Sequence, residues 1–200
     1  MKRLGILLSG RGSNFEAIAR NVSSGNIDAE ISVVISNRPA ARGLEIAQQL
    51  GLNAVCLPSK GIDRETYDAT VAAALKDHAV DLVCLAGYMR LLSPAFIREF
   101  PMRILNIHPS LLPAFPGIDA QEQALLHGVK ITGCTVHFVD EALDSGPIIA
   151  QAAVPVLDGD TVESLSSRIL NEEHRIYSEA IRLVHSGAYR IEGRRVARTF

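Results

Sequence analysis

The sequence predicts a three-layer α/β fold in which antiparallel strands extend a mostly parallel central sheet. In the first half of the chain, short apolar runs alternate with helical patterns, which is the order of βαβ units in a parallel sheet. In the second half, the strands "TGCTVHFV" and "PIIAQAAVPV" are joined by the short turn "DEALDSG", and so short a link favours antiparallel pairing. Together these observations predict a Rossmann-like architecture with a mixed sheet.

Five strands are predicted in the first half, and a helix follows each of the first four. Strands one, two and four are nearly continuous in Leu, Ile and Val, as expected of strands that are buried on both faces. The strand and helix segments are, in order, "RLGILLS" and "FEAIARNVSSG", "AEISVVIS" and "ARGLEIAQQLG", "NAVCLP" and "DRETYDATVAAALKDHA", "VDLVCLAG" and "SPAFIREF", and the strand "MRILNIH".

Two further helices are predicted in the second half. The first covers about residues 119–127. The second starts at Asp160, where Asp160 and Glu163 fit a capping box, and ends near Ser186 because Gly187 follows it. The basic run "RIEGRRVAR" comes next and is expected to form a solvated tail or an edge strand.

The composition fits one domain with a substantial core. The chain has 200 residues, of which 48% are hydrophobic, and its formal net charge of −2 gives no electrostatic reason to bind nucleic acid or a membrane surface. Neither a signal peptide nor a membrane span is expected, because no apolar run is long enough. Cys56, Cys84 and Cys134 lie in apolar contexts, which predicts buried thiols in a reducing cytoplasm.

The segment "SGRGSN", residues 9–14, leaves the first strand and opens a helix. Backbone N–H groups and a helix N-terminus at that place favour an anion. The dinucleotide fingerprint is excluded because Phe15 replaces its third glycine and Asn37 replaces its acidic residue, and no Walker A lysine follows. A single phosphate, such as that of a ribose 5-phosphate, fits the loop. The alternative is a simple capping box formed by Ser13 and Glu16.

A second candidate site follows the fifth strand, in "ILNIHPSLLPAFPG". Asn106 and His108 are two residues apart on an extended segment and therefore share a face. They stand at the carboxyl end of the strand, where open α/β sheets bind ligands. Pro109 and Pro113 are expected to keep "PSLLP" extended, so that its leucines line a cleft and exclude water from it.

Asp144 lies in the turn between the two late strands and would come beside His108 if those strands add next to strand five. An amide, an imidazole and a carboxylate, without a serine or cysteine nucleophile nearby, favour direct acyl transfer. Asn106 and His108 would stabilise the oxyanion, and Asp144 would relay protons. Taken singly, a histidine at a strand end can be structural and an Asp before Ser-Gly can be a turn residue.

The sequence resembles phosphoribosylglycinamide formyltransferases over roughly residues 3–186. The resemblance rests on "SGRGSN", "AGYMRLLS", "NIHPSLLPAFPG", "HFVDEALDSGPII" and "EEHRIY". It implies the formyltransferase fold and transfer of a formyl group from 10-formyltetrahydrofolate to the amine of 5'-phosphoribosylglycinamide in purine biosynthesis. It also implies one domain, with a nucleotide-phosphate half over residues 1–100 and a catalytic and folate half over residues 101–200.

Residue by residue, the resemblance implies that Asn106, His108 and Asp144 are catalytic. It implies that Gly12, Ser13, Asn14 and Glu173 bind the ribonucleotide, the first three at its phosphate and Glu173 at its ribose. The residues that it implies for the folate are Arg64, Met89, Arg90, Leu91, Leu92, Asn106, Asp140, Glu141 and Asp144.

The sequence departs from the family pattern at Asp119, where a neutral or basic residue would face the folate tail, and at Leu170, where a polar residue often reaches the phosphate. His137 has two interpretations, a residue that supports the site or a packed residue, and Arg90 is either a folate-tail contact or a surface charge. No metal is expected, because the histidines lack ligand spacing and the cysteines are scattered.

Three rival functions share parts of the pattern. A formyltetrahydrofolate deformylase would have the same core but an added N-terminal regulatory domain, which we do not expect because the chain starts directly at strand one. A methionyl-tRNA formyltransferase would need an RNA-binding C-terminal domain and a more basic surface. A non-catalytic nucleotide- or folate-binding protein would not need the trio of Asn106, His108 and Asp144. Monomer and homodimer both remain open.

Overall fold

A computed structural model describes residues 2–199 of the chain. Within them the elements are β1 (Lys2–Leu8), α1 (Ser13–Ser23), β2 (Ala29–Ser36), α2 (Arg42–Gln49), β3 (Ala54–Cys56), α3 (Arg64–Asp77), β4 (Leu82–Leu85), α4 (Pro94–Glu99), β5 (Ile104–His108), α5 (Ala120–Leu126), β6 (Ile131–Phe138), β7 (Ile148–Pro155), α6 (Val162–Ser186), β8 (Tyr189–Glu192) and β9 (Arg195–Arg198). The chain divides into two compact units, the first ending at Asn106 and the second beginning at Ile107.

The first unit is a parallel sheet with helices between its strands. β1 pairs with β2 and β4, β2 pairs with β3, and β4 pairs with β5, all in parallel. β4 is buried along its whole length, as are the last five residues of β1 and the last four of β2. The continuous apolar runs therefore correspond to strands covered on both faces, as predicted.

The second unit contains the antiparallel strands. β6 and β7 pair antiparallel from Ile131 opposite Pro155 to His137 opposite Ile148. β9 joins β7 in parallel, and β8 pairs antiparallel with β9. All nine strands of the described residues belong to one sheet, in the order β3-β2-β1-β4-β5-β6-β7-β9-β8. The predicted fold class is confirmed, and the basic run forms a β-hairpin at the sheet edge.

The start of α6 differs from the prediction by two residues. Its N-cap is Thr161, whose hydroxyl accepts the Ser164 N–H while the Ser164 hydroxyl accepts the Thr161 N–H, so the capping box is one residue further along. Asp160 is not the cap because the Arg168 guanidinium binds both of its carboxylate oxygens at 2.8 Å. These bonds hold the pKa of Asp160 well below its usual range. The helix ends at Gly187 with a left-handed φ of 67°, as predicted.

Two local predictions were wrong. Cys56 is exposed, because β3 is the edge strand of its sheet, whereas Cys84 and Cys134 are buried as predicted. The segment after β5 does not stay extended: Leu112–Pro113 is a cis peptide, and the Ala114 N–H donates to the Leu111 carbonyl. No helix within residues 2–199 has the length and apolarity that a membrane crossing requires.

Candidate active site

The predicted phosphate loop links β1 to α1 in the first unit. Its central residue, Gly12, is the N-cap of α1 and has a left-handed backbone with φ of 79°, and no side chain caps the helix. The capping-box alternative is therefore wrong, since Ser13 is already the first helical residue. Ser13 is half-buried and Asn14 is buried.

The loop is fixed against the start of α2. The Gly43 N–H donates to the Gly10 carbonyl at 3.1 Å. A Cβ atom at Gly12 would lie 2.8 Å from the Gly43 Cα, closer than real Cβ contacts allow. Glycine at position 12 thus satisfies both a left-handed backbone and a close approach of two chain segments. The start of α1 therefore has backbone N–H groups that no side chain caps, which suits it to binding an anion.

His108 and Asp144 meet in the second unit, as predicted. His108 ends β5 and its side chain is only 5% exposed, while Asp144 precedes β7 with its side chain 9% exposed. The His108 Nδ1 lies 3.4 Å from the Asp144 Oδ2. The Gly117 N–H donates to the same carboxylate oxygen at 2.8 Å. A buried imidazole thus has a carboxylate beside one ring nitrogen, the arrangement that proton transfer requires.

The other ring nitrogen of His108 donates a hydrogen bond. The Nε2 lies 2.8 Å from the Phe115 carbonyl oxygen, which can only accept a hydrogen bond, so the proton must be on Nε2. A substrate oxygen that accepts this proton has to take the place of the Phe115 carbonyl. Phe115 has a φ of 51° and Asp144 a φ of 47°, conformations that residues other than glycine adopt rarely.

His137 stands on the opposite side of the same carboxylate. Its Nε2 lies 3.8 Å from the Asp144 Oδ1, and its Nδ1 lies 2.8 Å from the Phe138 carbonyl. The Nδ1 must therefore be the protonated nitrogen. Burial lowers the pKa of His137, although Asp144 acts in the opposite direction. Burial thus favours the neutral form of His137. The residue is both packed, at 2% exposure, and 3.8 Å from the Asp144 carboxylate, so it fits both interpretations.

The remaining predicted residues of the second unit lie in one loop and on one helix. Asp140 and Glu141 belong to the loop between β6 and β7, where the Asp140 carboxylate accepts the Ala142 N–H at 3.2 Å. Glu173 is a buried carboxylate of α6, 7% exposed. Burial, with Glu173 as the next largest influence, raises the pKa of Cys134 to about 12. Leu170 is half-buried on the same helix.

The residues predicted for the folate in the first unit are more exposed. Arg64 is the exposed first residue of α3. Met89 and Leu91 are 66% and 60% exposed in the segment between β4 and α4. The Arg90 guanidinium lies 4.4 Å above the ring centre of Tyr67, a cation–π contact. Asn106 is half-buried on β5, with Leu85 as its neighbour in register.

Sequence reasoning missed the backbone groups that complete the His108 and Asp144 cluster. They are the Phe115 carbonyl and the Gly117 N–H, both in "AFPG". A glycine after a proline is typical of a turn, and Gly117 has a φ of 85°, but the sequence does not show which side chains such a turn contacts. It also missed Thr135, whose hydroxyl donates to the Ser110 carbonyl at 2.7 Å and accepts the Leu112 N–H at 3.0 Å.

No group of three or more His, Cys, Asp or Glu side chains within residues 2–199 has metal-binding geometry. Asp119, the departure noted above, is the exposed N-cap of α5 with a φ of 55°.

Comparison with known proteins identifies similar chains. The formyl transferase family model matches residues 2–181. The phosphoribosylglycinamide formyltransferase of Escherichia coli is 42% identical over 199 residues, which cover 96% of this chain and 94% of that protein. A trifunctional purine biosynthetic protein of Drosophila melanogaster is 48% identical over 189 residues, which cover 93% of this chain. The matched region is only 14% of that protein's length.

Solved structures of similar proteins also include transferases of this kind. Glycinamide ribonucleotide transformylase 1 of Symbiobacterium toebii superimposes with a TM-score of 0.98 at 56% identity, covering 100% of this chain and 95% of that one. A formyltetrahydrofolate deformylase of Pseudomonas syringae has a TM-score of 0.93 but 30% identity, and this chain covers 66% of its length. The fold is therefore shared by transferases and a hydrolase, and the higher identities are to the transferases.

Proposed function

Because the chain belongs to the formyl transferase family, we propose that it transfers the formyl group of 10-formyltetrahydrofolate to the amine of 5'-phosphoribosylglycinamide. The products are formylglycinamide ribonucleotide and tetrahydrofolate, in purine biosynthesis. The observation that carries the chemistry is the buried His108, with Asp144 at 3.4 Å from Nδ1 and its proton on Nε2. The acceptor is supported by the similarity to named transferases along 93–96% of the chain.

The proposed reaction is a direct displacement at the formyl carbon. The amine nitrogen of the ribonucleotide attacks that carbon, and the carbonyl π electrons move to oxygen to give a tetrahedral intermediate. The Nε2–H of His108 and the side-chain amide of Asn106 donate hydrogen bonds to the oxyanion. When the substrate binds, the formyl oxygen takes the place of the Phe115 carbonyl as the acceptor of the His108 Nε2–H hydrogen bond.

Collapse of the intermediate needs one proton moved from the attacking nitrogen to N10 of the folate. Asp144 is the group that we propose to relay it, directly or through a water molecule. The bond from the formyl carbon to N10 then breaks, and the electron pair leaves with nitrogen. His137 lies 3.8 Å from Asp144, and burial lowers its pKa, which opposes a positive charge on that side of the carboxylate.

The substrate-binding residues follow the same proposal. Gly12, Ser13 and Asn14 take the phosphate at the uncapped start of α1, and Glu173 takes the ribose hydroxyls. The proposed folate contacts are Arg64, Met89, Arg90, Leu91, Leu92, Asn106, Asp140, Glu141 and Asp144. The folate is a co-substrate, and the proposed chemistry uses no metal.

We further propose that the partners are these small molecules alone, with no nucleic acid or membrane, and that the protein works in the cytoplasm as a monomer or homodimer. The formal net charge of −2 supports this, since nothing in the overall charge attracts polyanions. Two halves, residues 1–100 for the phosphate and residues 101–200 for catalysis and folate, remain the proposed organisation.

The test is a spectroscopic assay of tetrahydrofolate release from 10-formyltetrahydrofolate, with and without 5'-phosphoribosylglycinamide. Release that depends on the ribonucleotide supports the transferase. Release at the same rate without it means that water is the acceptor. The deformylase alternative, whose fold this chain shares, then replaces the proposal.

A further inference from the structure

A short segment between β4 and α4, residues 89–92, combines exposed apolar side chains with a fixed backbone. We call it the strap. Its Met89 and Leu91 side chains are 66% and 60% exposed. The two backbone N–H groups at its boundaries, in contrast, donate to side chains that are almost completely buried. Those two buried side chains come from different elements of the first unit, β1 with its following loop and α3.

The first boundary is held by Ser9, which is 2% exposed. Its hydroxyl oxygen accepts the Met89 N–H at 2.8 Å and donates its own proton to the Asn37 Oδ1 at 2.6 Å. The Ser9 N–H also donates to the Gly87 carbonyl at 3.0 Å. Because Asn37 fixes the direction of the Ser9 hydroxyl proton, the oxygen lone pair is left directed at the strap.

The second boundary is held by Asp68, which is 1% exposed on α3. Its Oδ2 accepts the Ser93 N–H at 2.6 Å. The Oδ1 has no hydrogen-bond partner among the described residues. Burying a carboxylate carries a large desolvation free energy. One hydrogen bond to a backbone N–H offsets only part of it, so loop stability alone does not explain Asp68. The charge does, however, make this bond stronger than a neutral one.

The middle of the strap is held by the neighbour of Asp68 on the same helix. Tyr67, 1% exposed, places its ring 4.4 Å from the Arg90 guanidinium. Its hydroxyl donates to the Leu57 carbonyl at 2.8 Å, which fixes the ring. The backbone and the one charged side chain of the strap are thus both held in place, while Met89 and Leu91 are exposed.

We propose that Ser9 and Asp68 are positioning residues that hold the strap in the conformation that binds the folate. This inference rests on the proposed function, which assigns Met89 to Leu92 to the folate. A fixed strap avoids the entropy cost of ordering it when the ligand binds. Loss of either buried bond therefore weakens folate binding, while the proposed phosphate contacts Gly12, Ser13 and Asn14 stay in place.

The experiment compares Ser9→Ala and Asp68→Ala with two matched controls in the same unit. Ser32→Ala removes a serine hydroxyl that donates to the Leu4 carbonyl at 3.3 Å. Asp81→Ala removes a carboxylate that accepts the Arg3 N–H at 2.9 Å. The Michaelis constants for 10-formyltetrahydrofolate and 5'-phosphoribosylglycinamide are measured for each variant. Amide hydrogen exchange is followed at Met89 and Ser93.

Both strap variants are expected to raise KM for 10-formyltetrahydrofolate about tenfold and to change KM for the ribonucleotide less than about twofold. Hydrogen exchange of the Met89 amide should be faster in Ser9→Ala. Exchange of the Ser93 amide should be faster in Asp68→Ala. Asp68→Asn, whose amide oxygen still accepts the Ser93 N–H, should stay within about threefold of the parent for both constants. The two controls should leave both constants unchanged.

Faster exchange at Met89 and Ser93 with an unchanged folate constant overturns the inference and leaves the proposed function intact. An equal rise of both constants also overturns it, because the variants then act on the whole fold. If the parent protein binds no 10-formyltetrahydrofolate, the proposed function fails first and the inference fails with it. Failure of Asp68→Asn to restore the folate constant assigns the effect to something other than the hydrogen bond.

Discussion

The predicted phosphate loop at residues 9–14 and the cluster around Asp144 are built by opposite means. The loop is made of backbone: a left-handed Gly12, an uncapped helix and a close approach to Gly43. The cluster is made of side chains, in which His108 and Asp144 are 36 positions apart in sequence (144 − 108) and meet at 3.4 Å. The comparison teaches that the first region is suited to holding a fixed charge and the second to moving a proton. Variants in them should therefore change different kinetic constants.

The largest effect is expected from His108→Ala. It removes the proposed oxyanion donor and should lower kcat by about 10²- to 10³-fold, with KM for the ribonucleotide nearly unchanged. His78→Ala is the matched control, because His78 is the C-cap of α3 in the other unit. Steady-state kinetics of both variants provide the measurement. Undiminished turnover in His108→Ala would remove the catalytic assignment of the cluster.

A smaller effect, on binding instead of turnover, is expected from Gly12→Ala. The new Cβ meets the Gly43 backbone, and the left-handed φ costs an added residue about 1–2 kcal/mol. KM for the ribonucleotide should rise about tenfold, while KM for the folate is retained.

The control for this variant is Gly25→Ala. Gly25 has a similar φ of 76°, but nothing lies within 4 Å of its added Cβ. It should lose stability through φ alone and keep both Michaelis constants. Thermal unfolding and steady-state kinetics separate the two effects. If Gly12→Ala weakens both substrates equally, the loop is a structural turn and not a phosphate site.

The smallest effect concerns pH and stability. Burial lowers the pKa of His137 from its ordinary 6.5, so the unfolded chain binds the proton more readily than the folded one. Stability is therefore complete above pH 6.5 and is lost as the pH falls from there toward the lowered folded pKa. Each unit of lowering corresponds to about 1.4 kcal/mol.

The measurement for His137 is the change in Tm between pH 7.5 and 5.5, in the parent and in His137→Gln. A loss of 1 kcal/mol shifts Tm by roughly 2–4 °C in a chain of this size. The parent should lose more than the variant, which cannot be protonated. Equal slopes would mean that groups other than His137 control stability between pH 7.5 and 5.5.

Local sequence patterns predicted the elements well where packing and local preference agree. The buried strands β1, β2 and β4, the Asp63 cap of α3 and the Gly187 stop of α6 all follow from neighbouring residues. Prediction failed where a distant partner decided the outcome. Asp160 had the residue type of a cap, but Arg168 takes its carboxylate, and the apolar context of Cys56 gave no indication that its strand lies at the sheet edge.

For the candidate site, the sequence by itself determined which chemical groups are present and which of them share a strand or a loop. Periodicity placed Asn106 and His108 on one strand, and glycine spacing excluded the dinucleotide fingerprint, because these properties depend on neighbours within a few residues. Only the tertiary structure decided that Asp144 lies beside His108 with the Gly117 N–H on the same oxygen, and that the Phe115 carbonyl fixes the proton on Nε2. Those contacts join residues that are 7 to 36 positions apart (115 − 108 and 144 − 108), so they depend on strand order and turn conformation, which no local pattern encodes.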